Sequence, residues 1–223
     1  MTFGAILPDT EGNPFYINDT MPLCMILKRQ LTLDISGGNW ASAVVHANDG
    51  AVRFLFWDSP NANTYAYYQL NTTTNTWQIT ASCKSSSVFT VNVYIFGYQY
   101  QIPPKWGMAI WDANKNCIIT NETKVLRGVA PLGVEGSESA GYNIDTSLVG
   151  RWAIAPIITG MIAGIINSGV IRPWSATYYG SSYFNGSSTR ITSVPTDTAS
   201  GGVQNITYYN TRTRIMAVDI SNY

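Results

Sequence analysis

Apolar and polar residues alternate along much of this chain with a period of two, the spacing of a strand with one buried face. In "CMILKRQLTL" (24–33), Met25, Leu27, Leu31 and Leu33 share one face, and Lys28, Gln30 and Thr32 share the other. In "TWQITASC" (76–83), Trp77, Ile79, Ala81 and Cys83 oppose Thr76, Gln78, Thr80 and Ser82. In "FTVNVYIFGYQY" (89–100), Phe89, Val91, Val93 and Ile95 form one face, and Tyr94, Phe96, Tyr98 and Tyr100 crowd the other. Turn-forming clusters interrupt these runs at intervals of about ten residues, the spacing of an all-β fold. They are Asp9–Gly12, Ser36–Gly38, Asn48–Gly50, Ser59–Asn63, Asn71–Asn75, Lys84–Ser87 and Pro103–Pro104. "ASAVVHANDGAVRFLFW" (41–57) reads as a hairpin closed by Asn48–Asp49–Gly50, residues that tolerate positive φ. "GVAPLGVEGSESAGYN" (128–143), "YYGSSYFNGSST" (178–189) and "TDTASGG" (196–202) read as loops. "NITYYNTRTRIMAVDI" (205–220) reads as one or two closing strands. No segment has the 3.6-residue apolar period of an amphipathic helix.

The pattern also restarts. "TFGAILPDTEGNPFYINDTMPL" (2–23) and "KWGMAIWDANKNCIITNETKVL" (105–126) align without a gap at a shift of 103 residues. Phe3 meets Trp106, Gly4 meets Gly107, Asp9 meets Asp112, Asn13 meets Asn116, Asn18 meets Asn121, Thr20 meets Thr123 and Leu23 meets Leu126. The unit is an aromatic-Gly strand, a polar turn opened by Asp, and a return strand. A spacing of about 100 residues suits a duplicated domain rather than a solenoid. The expectation is an all-β chain of two β-sandwich-like domains related by a weak internal duplication, spanning 1–102 and 105–223. Pro103–Pro104 would be the extended junction.

Composition adds a reason to expect assembly. Of 223 residues, 45% are apolar, so a sizeable core is available. Only 12% are charged, against roughly 25% in an average soluble protein. Lys plus Arg and Asp plus Glu both number 13, so the formal net charge is zero and nothing opposes self-association. The 14 Tyr and 7 Trp suit strands and interfaces. No basic patch is visible, so nucleic acid is not an expected partner. Cys24, Cys83 and Cys117 lack CxxC spacing and read as buried free thiols of a protein made in a reducing cytoplasm. Met1–Gly4 runs straight into a strand-and-turn pattern, so no signal peptide is expected.

Candidate chemistry is sparse. Residues 152–171, "WAIAPIITGMIAGIINSGVI", carry no charge and are long enough to span a bilayer as a helix. Pro156, Gly160, Gly164 and Gly169 favour strands separated by turns, and no stable membrane span is expected. "DANKN" (112–116) matches the opening of a calcium loop, but Cys117 stands where Gly is wanted and Thr123 where a bidentate Glu is wanted. Asp112 reads instead as a turn former. His46 is the only histidine, and no GxSxG accompanies it. No metal-ligand cluster, paired carboxylates or phosphate loop is apparent, so no catalytic residue, metal or cofactor is expected. The sequons at Asn18, Asn71, Asn121, Asn185 and Asn205 read as polar turns.

"WGMAIWDANKNCIITNE", with its lead-in "VNVYIFGYQYQIPPKWG", resembles a recurring element in tail proteins of tailed bacteriophages. That element is an aromatic-Gly-x-x-Ile-aromatic-Asp-x-x-Gly turn followed by an apolar strand. "GRWAIAP" and "TRTRIMAVDIS" are similar to strands that follow it. The likeness covers residues 88–160 and 205–222, and the N-terminal copy matches less well. Lys115 replaces the turn Gly, and Pro8 replaces an aromatic. The resemblance implies a structural virion protein of the tail tip or tail-fibre attachment, assembled in the bacterial cytoplasm. It implies a symmetric homo-oligomer, a trimer foremost, in contact with other tail proteins. It carries over no catalytic residues, and the chain is not expected to be an enzyme. A host-receptor-binding module for a glycan or outer-membrane protein is the alternative, with Tyr178, Tyr179, Tyr183 and Phe184 as contacts. A capsid decoration protein comes next, and an envelope-cleaving enzyme last.

Overall fold

A computed structural model describes residues 5–8, 14–17, 21–199 and 202–223. Its strands are β1 (Ala5–Pro8), β2 (Pro14–Ile17), β3 (Cys24–Asp34), β4 (Ala41–Ala47), β5 (Arg53–Asp58), β6 (Thr64–Asn71), β7 (Thr76–Cys83), β8 (Val88–Gly97) and β9 (Ala109–Trp111). They continue as β10 (Cys117–Thr120), β11 (Val129–Leu132), β12 (Asp145–Val149), β13 (Trp152–Ile154), β14 (Ile158–Asn167), β15 (Ile171–Phe184), β16 (Ser188–Pro195), β17 (Val203–Asn210) and β18 (Ile215–Asp219). One 3₁₀ turn, Gly141–Asn143, interrupts them. The chain is all-β, as the period-two pattern predicts.

The chain divides into two compact units. The larger comprises residues 28–50, 55–94 and 127–223. Its core lies on the sheet ordered β11-β18-β13-β5-β8-β3. Val91, Val93 and Tyr94 of β8, Trp57 of β5 and Ile215, Ala217 and Val218 of β18 are fully buried there. Adjacent residues of β8 point to opposite faces, so this strand is covered on both sides. A second sheet runs β12-β16-β15-β14-β17, and a third β4-β7-β6.

Two loop expectations are corrected in this unit. The first concerns residues 178–189, where β15 continues through Phe184 and only Asn185–Ser187 turn before β16. The small residues are buried strand positions rather than loop formers. A Cβ on Gly180 would lie 3.1 Å from Ile157 Cγ2 and 3.2 Å from Ile154 Cδ1, so a side chain there would have to push both isoleucines aside. The Ser181 hydroxyl donates to Thr64 O (2.6 Å), and that of Ser182 donates to Trp152 O (2.8 Å). Burying a hydroxyl is tolerated when it is bonded in this way. The second concerns residues 128–143, which contain strand β11, paired with β18 from Val129↔Val218 to Leu132↔Ile215.

The expected 41–57 hairpin is also corrected. β4 pairs with β7, from Ala41↔Ala81 to Ala47↔Thr76, whereas β5 belongs to the six-stranded sheet. Asn48 is held by β7 instead of closing a turn. Its N–H donates to Asn75 O (3.0 Å), and its Oδ1 accepts from Trp77 Nε1 (3.2 Å). Residues 152–171 form β13, β14 and the first residue of β15. No helix among the described residues is long and apolar enough to cross a membrane.

The smaller unit comprises residues 1–27, 51–54 and 95–126, so Pro103–Pro104 lie inside it. Both repeated stretches form antiparallel hairpins, β1–β2 and β9–β10. At the 103-residue shift β2 falls on β10, and the pair Pro8↔Pro14 falls on Trp111↔Cys117. A bulge between Cys117 and Ile119 then moves the remaining pairs of the second hairpin by one residue. The repeat positions Phe3, Gly4, Asp9, Asn13, Asn18 and Thr20, and the Asp9–Gly12 turn, lie outside the described residues.

Candidate functional site

In the larger unit a pocket lies where four separate chain segments converge. They are the 35–40 segment after β3, the start of β6, the end of β7 with Lys84, and Thr196–Asp197 after β16. Together they enclose a pocket of about 510 Å³ lined by Asn39, Trp40, Tyr65, Ser82, Lys84 and Asp197, among others. That volume lies within the range of small-molecule sites.

One wall is aromatic and fixed. Trp40 meets Tyr65 edge-on (centroids 5.0 Å, planes at 89°), Tyr67 (5.2 Å, 67°) and Tyr179 (5.8 Å, 75°). Tyr179 stacks in turn on Tyr65 and Tyr67, at 6.1 and 5.9 Å. Edge-to-face and offset contacts of this kind are the favoured aromatic arrangements. Burial, then Tyr67 and Tyr65, raise the Tyr179 pKa, so its hydroxyl stays neutral. The rest of the lining is largely polar. Desolvation lowers the Lys84 pKa, and the Asp197 charge opposes that shift. Asp197 accepts the Thr198 N–H at 2.7 Å. Among the described residues, no hydrogen bond engages the side chains of Asn39, Trp40, Tyr65, Ser82 or Lys84.

The four residues expected as receptor contacts do not form one patch. Tyr179 joins the aromatic wall, while Tyr178 stacks on Tyr142 (5.2 Å, 27°). Burial, then Tyr208 and Tyr142, raise the Tyr178 pKa. Tyr183 sits opposite Arg190 in the β15–β16 ladder, and Phe184 lies under the Arg151 guanidinium at 5.3 Å. All four are half-buried. The strand alternation sends neighbours to opposite faces, which separates Tyr178 from Tyr179.

Other chemistry-bearing groups are engaged in structure. The Asp58 carboxylate is fully buried and accepts from Arg151 Nε (2.8 Å), Arg151 Nη2 (2.9 Å), Asn92 Nδ2 (2.7 Å) and Tyr94 OH (3.2 Å). The ring of His46 bonds Ala47 O and the Tyr68 hydroxyl. Asp112 Oδ1 accepts the N–H groups of Asn114 (2.9 Å) and Asn116 (2.8 Å), so its carboxylate is the turn former. Among the described residues, no cluster of three or more His, Cys, Asp or Glu side chains could hold a metal ion. Cys24, Cys83 and Cys117 are free and buried.

The second notable surface is an edge. Among the described residues, β17 pairs with β14 on one side only and ends the five-stranded sheet. Residues 204–209 are exposed on both faces, including Ile206 (41%), Tyr208 (54%) and Tyr209 (53%). Gly164 allows the close pairing, because a Cβ there would lie 2.6 Å from Val203 Cγ1. The β14–β15 turn nearby in sequence exposes Val170 and Ile171.

Comparison with protein-family models, with curated proteins and with solved structures finds no match to this chain. The pocket escaped the period-two reading because its lining comes from four separated segments. Trp40 carried the one local signal, an aromatic following Gly37, Gly38 and Asn39 in a connection between strands.

Proposed function

We propose that the chain is a structural component of a tailed-bacteriophage virion, part of the tail tip or tail-fibre attachment, and that it works as a homo-oligomer. The observation carrying this reading is the open β17 edge. An edge strand with apolar side chains on both faces invites pairing with another strand, and soluble monomers normally blunt such edges with Lys, Pro or bulges. β17 contains no Lys, Arg or Pro among Val203–Asn210, and its one irregularity, a register shift where Asn205 stands at φ 52°, leaves Thr207–Asn210 in regular pairing with β14. The occupant is a second copy of the same chain, since a neutral, charge-poor surface sets up no repulsion between copies. The likeness of residues 88–160 and 205–222 to phage tail elements supplies the biological setting. In this role the aromatic residues provide contact area, and no residue is asked to perform chemistry.

Sedimentation of the purified chain tests the assembly, and electron microscopy of particles carrying a tagged copy tests the location. The wild type is expected to sediment as one defined oligomer. The pair Ile206→Lys with Tyr208→Lys charges one face of an exposed edge, so the fold should persist while the oligomer dissociates. A wild-type chain that stays monomeric at millimolar concentration, or a tag seen on the head, would overturn the reading.

A further inference from the structure

We propose that the pocket lined by Asn39, Trp40, Tyr65, Ser82, Lys84 and Asp197 is a binding site for a short, uncharged saccharide. The argument begins with its two-sided chemistry. A sugar ring offers an apolar C–H face and a rim of hydroxyls, and it needs both kinds of wall at once. Trp40 and Tyr65 give a fixed aromatic wall, since Trp40 is wedged against three tyrosine rings at centroid distances of 5.0 to 5.8 Å. Such rigidity lowers the entropy lost on binding. The rest of the lining supplies hydrogen-bonding groups that the fold leaves unspent, namely the Asn39 amide, the Lys84 ammonium and the Ser82 hydroxyl, which lies beside Tyr65 in the β6–β7 ladder. Polar side chains at a concave site with no hydrogen-bond partner among the described residues are available to a ligand.

Charge narrows the class. The lining contains one cation, Lys84, and one anion, Asp197, which offset each other. A nucleotide or a polyanionic sugar would meet no net positive field, and a polyamine no net negative one. A neutral polyol can donate paired hydroxyls to the Asp197 carboxylate and accept from Lys84, the charge-assisted bonds that are stronger than neutral ones. The pocket volume of about 510 Å³ accommodates more than one sugar ring. The site shares only Tyr179 with the contacts expected from sequence, and that residue stands behind Trp40 rather than in the lining.

The test is a titration of the full chain with glucose, galactose, mannose, N-acetylglucosamine and maltotriose, and with deproteinised bacterial envelope polysaccharide. The readouts are the indole N–H signals and the backbone amide signals by NMR. Saturable shifts are expected at Trp40, Ser82, Lys84 and Asp197. Lys84→Ala and Asp197→Asn alter exposed side chains, so they should fold normally and weaken binding about tenfold or more, the loss of one charge-assisted bond. Trp40→Ala should abolish binding, and Tyr98→Ala, outside the lining, should leave it unchanged. Response to the small sugars supports a site for free saccharide, and response to the polysaccharide alone supports a site for an envelope glycan. Absence of any saturable shift, or unaltered binding in both Lys84→Ala and Asp197→Asn, overturns the proposal.

Discussion

Asp112 shows how one side chain can settle the conformation of a turn. Its Oδ1 holds the Asn114 and Asn116 amides, and its Oδ2 accepts from Asn116 Nδ2 at 3.0 Å. The Asn116 side chain, followed by the backbone amides, lowers the Asp112 pKa. A folded pKa below the unfolded one makes the contribution fully present above about pH 4, the unfolded carboxylate range, and lost as pH falls through the folded value. Acid titration followed by NMR should therefore show the β9–β10 amides losing protection below about pH 4, and Asp112→Asn should remove that dependence. The next residues raise a second expectation. Lys115 stands at φ 66°, a left-handed conformation that costs a non-glycine residue roughly 1 kcal/mol. Lys115→Gly should raise stability by about that amount in urea unfolding; a loss of stability would refute the strain at this position. Two of the sequons behave similarly to Asp112, whereas Asn205 is a strand residue of β17 and not the polar turn expected. Asn71 Oδ1 accepts from Thr73 and Thr74 amides, and Asn185 Oδ1 from Ser187 and Ser188 amides.

Elements were readable where side chains alternate and unreadable where small residues carry the strand. β3 and β8 could be placed from Leu31, Leu33, Phe89, Val91 and Val93, all buried on the expected faces. The Gly-Ser run of β15 carries no such signal, because Gly180, Ser181 and Ser182 are selected by close approach and by hydrogen bonds to distant backbone. Gly180→Val tests this directly. The added methyls would crowd Ile157, Ile154 and Ile215, and overpacking of this kind costs roughly 1–3 kcal/mol. A midpoint of urea unfolding equal to that of the wild type would show that the strand has room to spare. Local pattern also cannot choose a partner strand, which is why 41–57 read as a hairpin although β4 and β5 join different sheets. The repeated hairpins show the opposite limit. Their strands could be located from sequence, but the one-residue bulge that separates their registers could not. The pocket was hidden for the same reason as the pairing, since Trp40, Lys84 and Asp197 converge only once distant connections meet.

At the scale of the molecule, so few charges are present that each buried one has structural weight. Two arginines grip carboxylates through paired hydrogen bonds, and burial separates their expected contributions. Arg190 holds Asp145 at 2.8 and 2.6 Å, but both side chains are more than half exposed, at 57% and 52%. Solvent screens such a pair, so Arg190→Ala should cost less than about 1 kcal/mol. Arg151 holds Asp58 with nearly the same geometry, yet the Asp58 side chain is 0% exposed. Asn92 and Tyr94 of β8 complete its shell, and burial followed by the Asp58 charge raises the Tyr94 pKa, keeping that hydroxyl a donor. The network thus links residues distant in sequence, at 58, 92, 94 and 151, around one anion. Removing the arginine leaves a buried carboxylate without its countercharge, a change that costs about 3–5 kcal/mol. Arg151→Lys restores the charge but not the two-pronged geometry, and should fall between wild type and Arg151→Ala. Urea unfolding of the three variants checks the ranking, with Arg190→Ala closest to wild type, Arg151→Lys next and Arg151→Ala least stable. Equal losses for Arg190→Ala and Arg151→Ala would mean that burial of Asp58 does not set the strength of this contact.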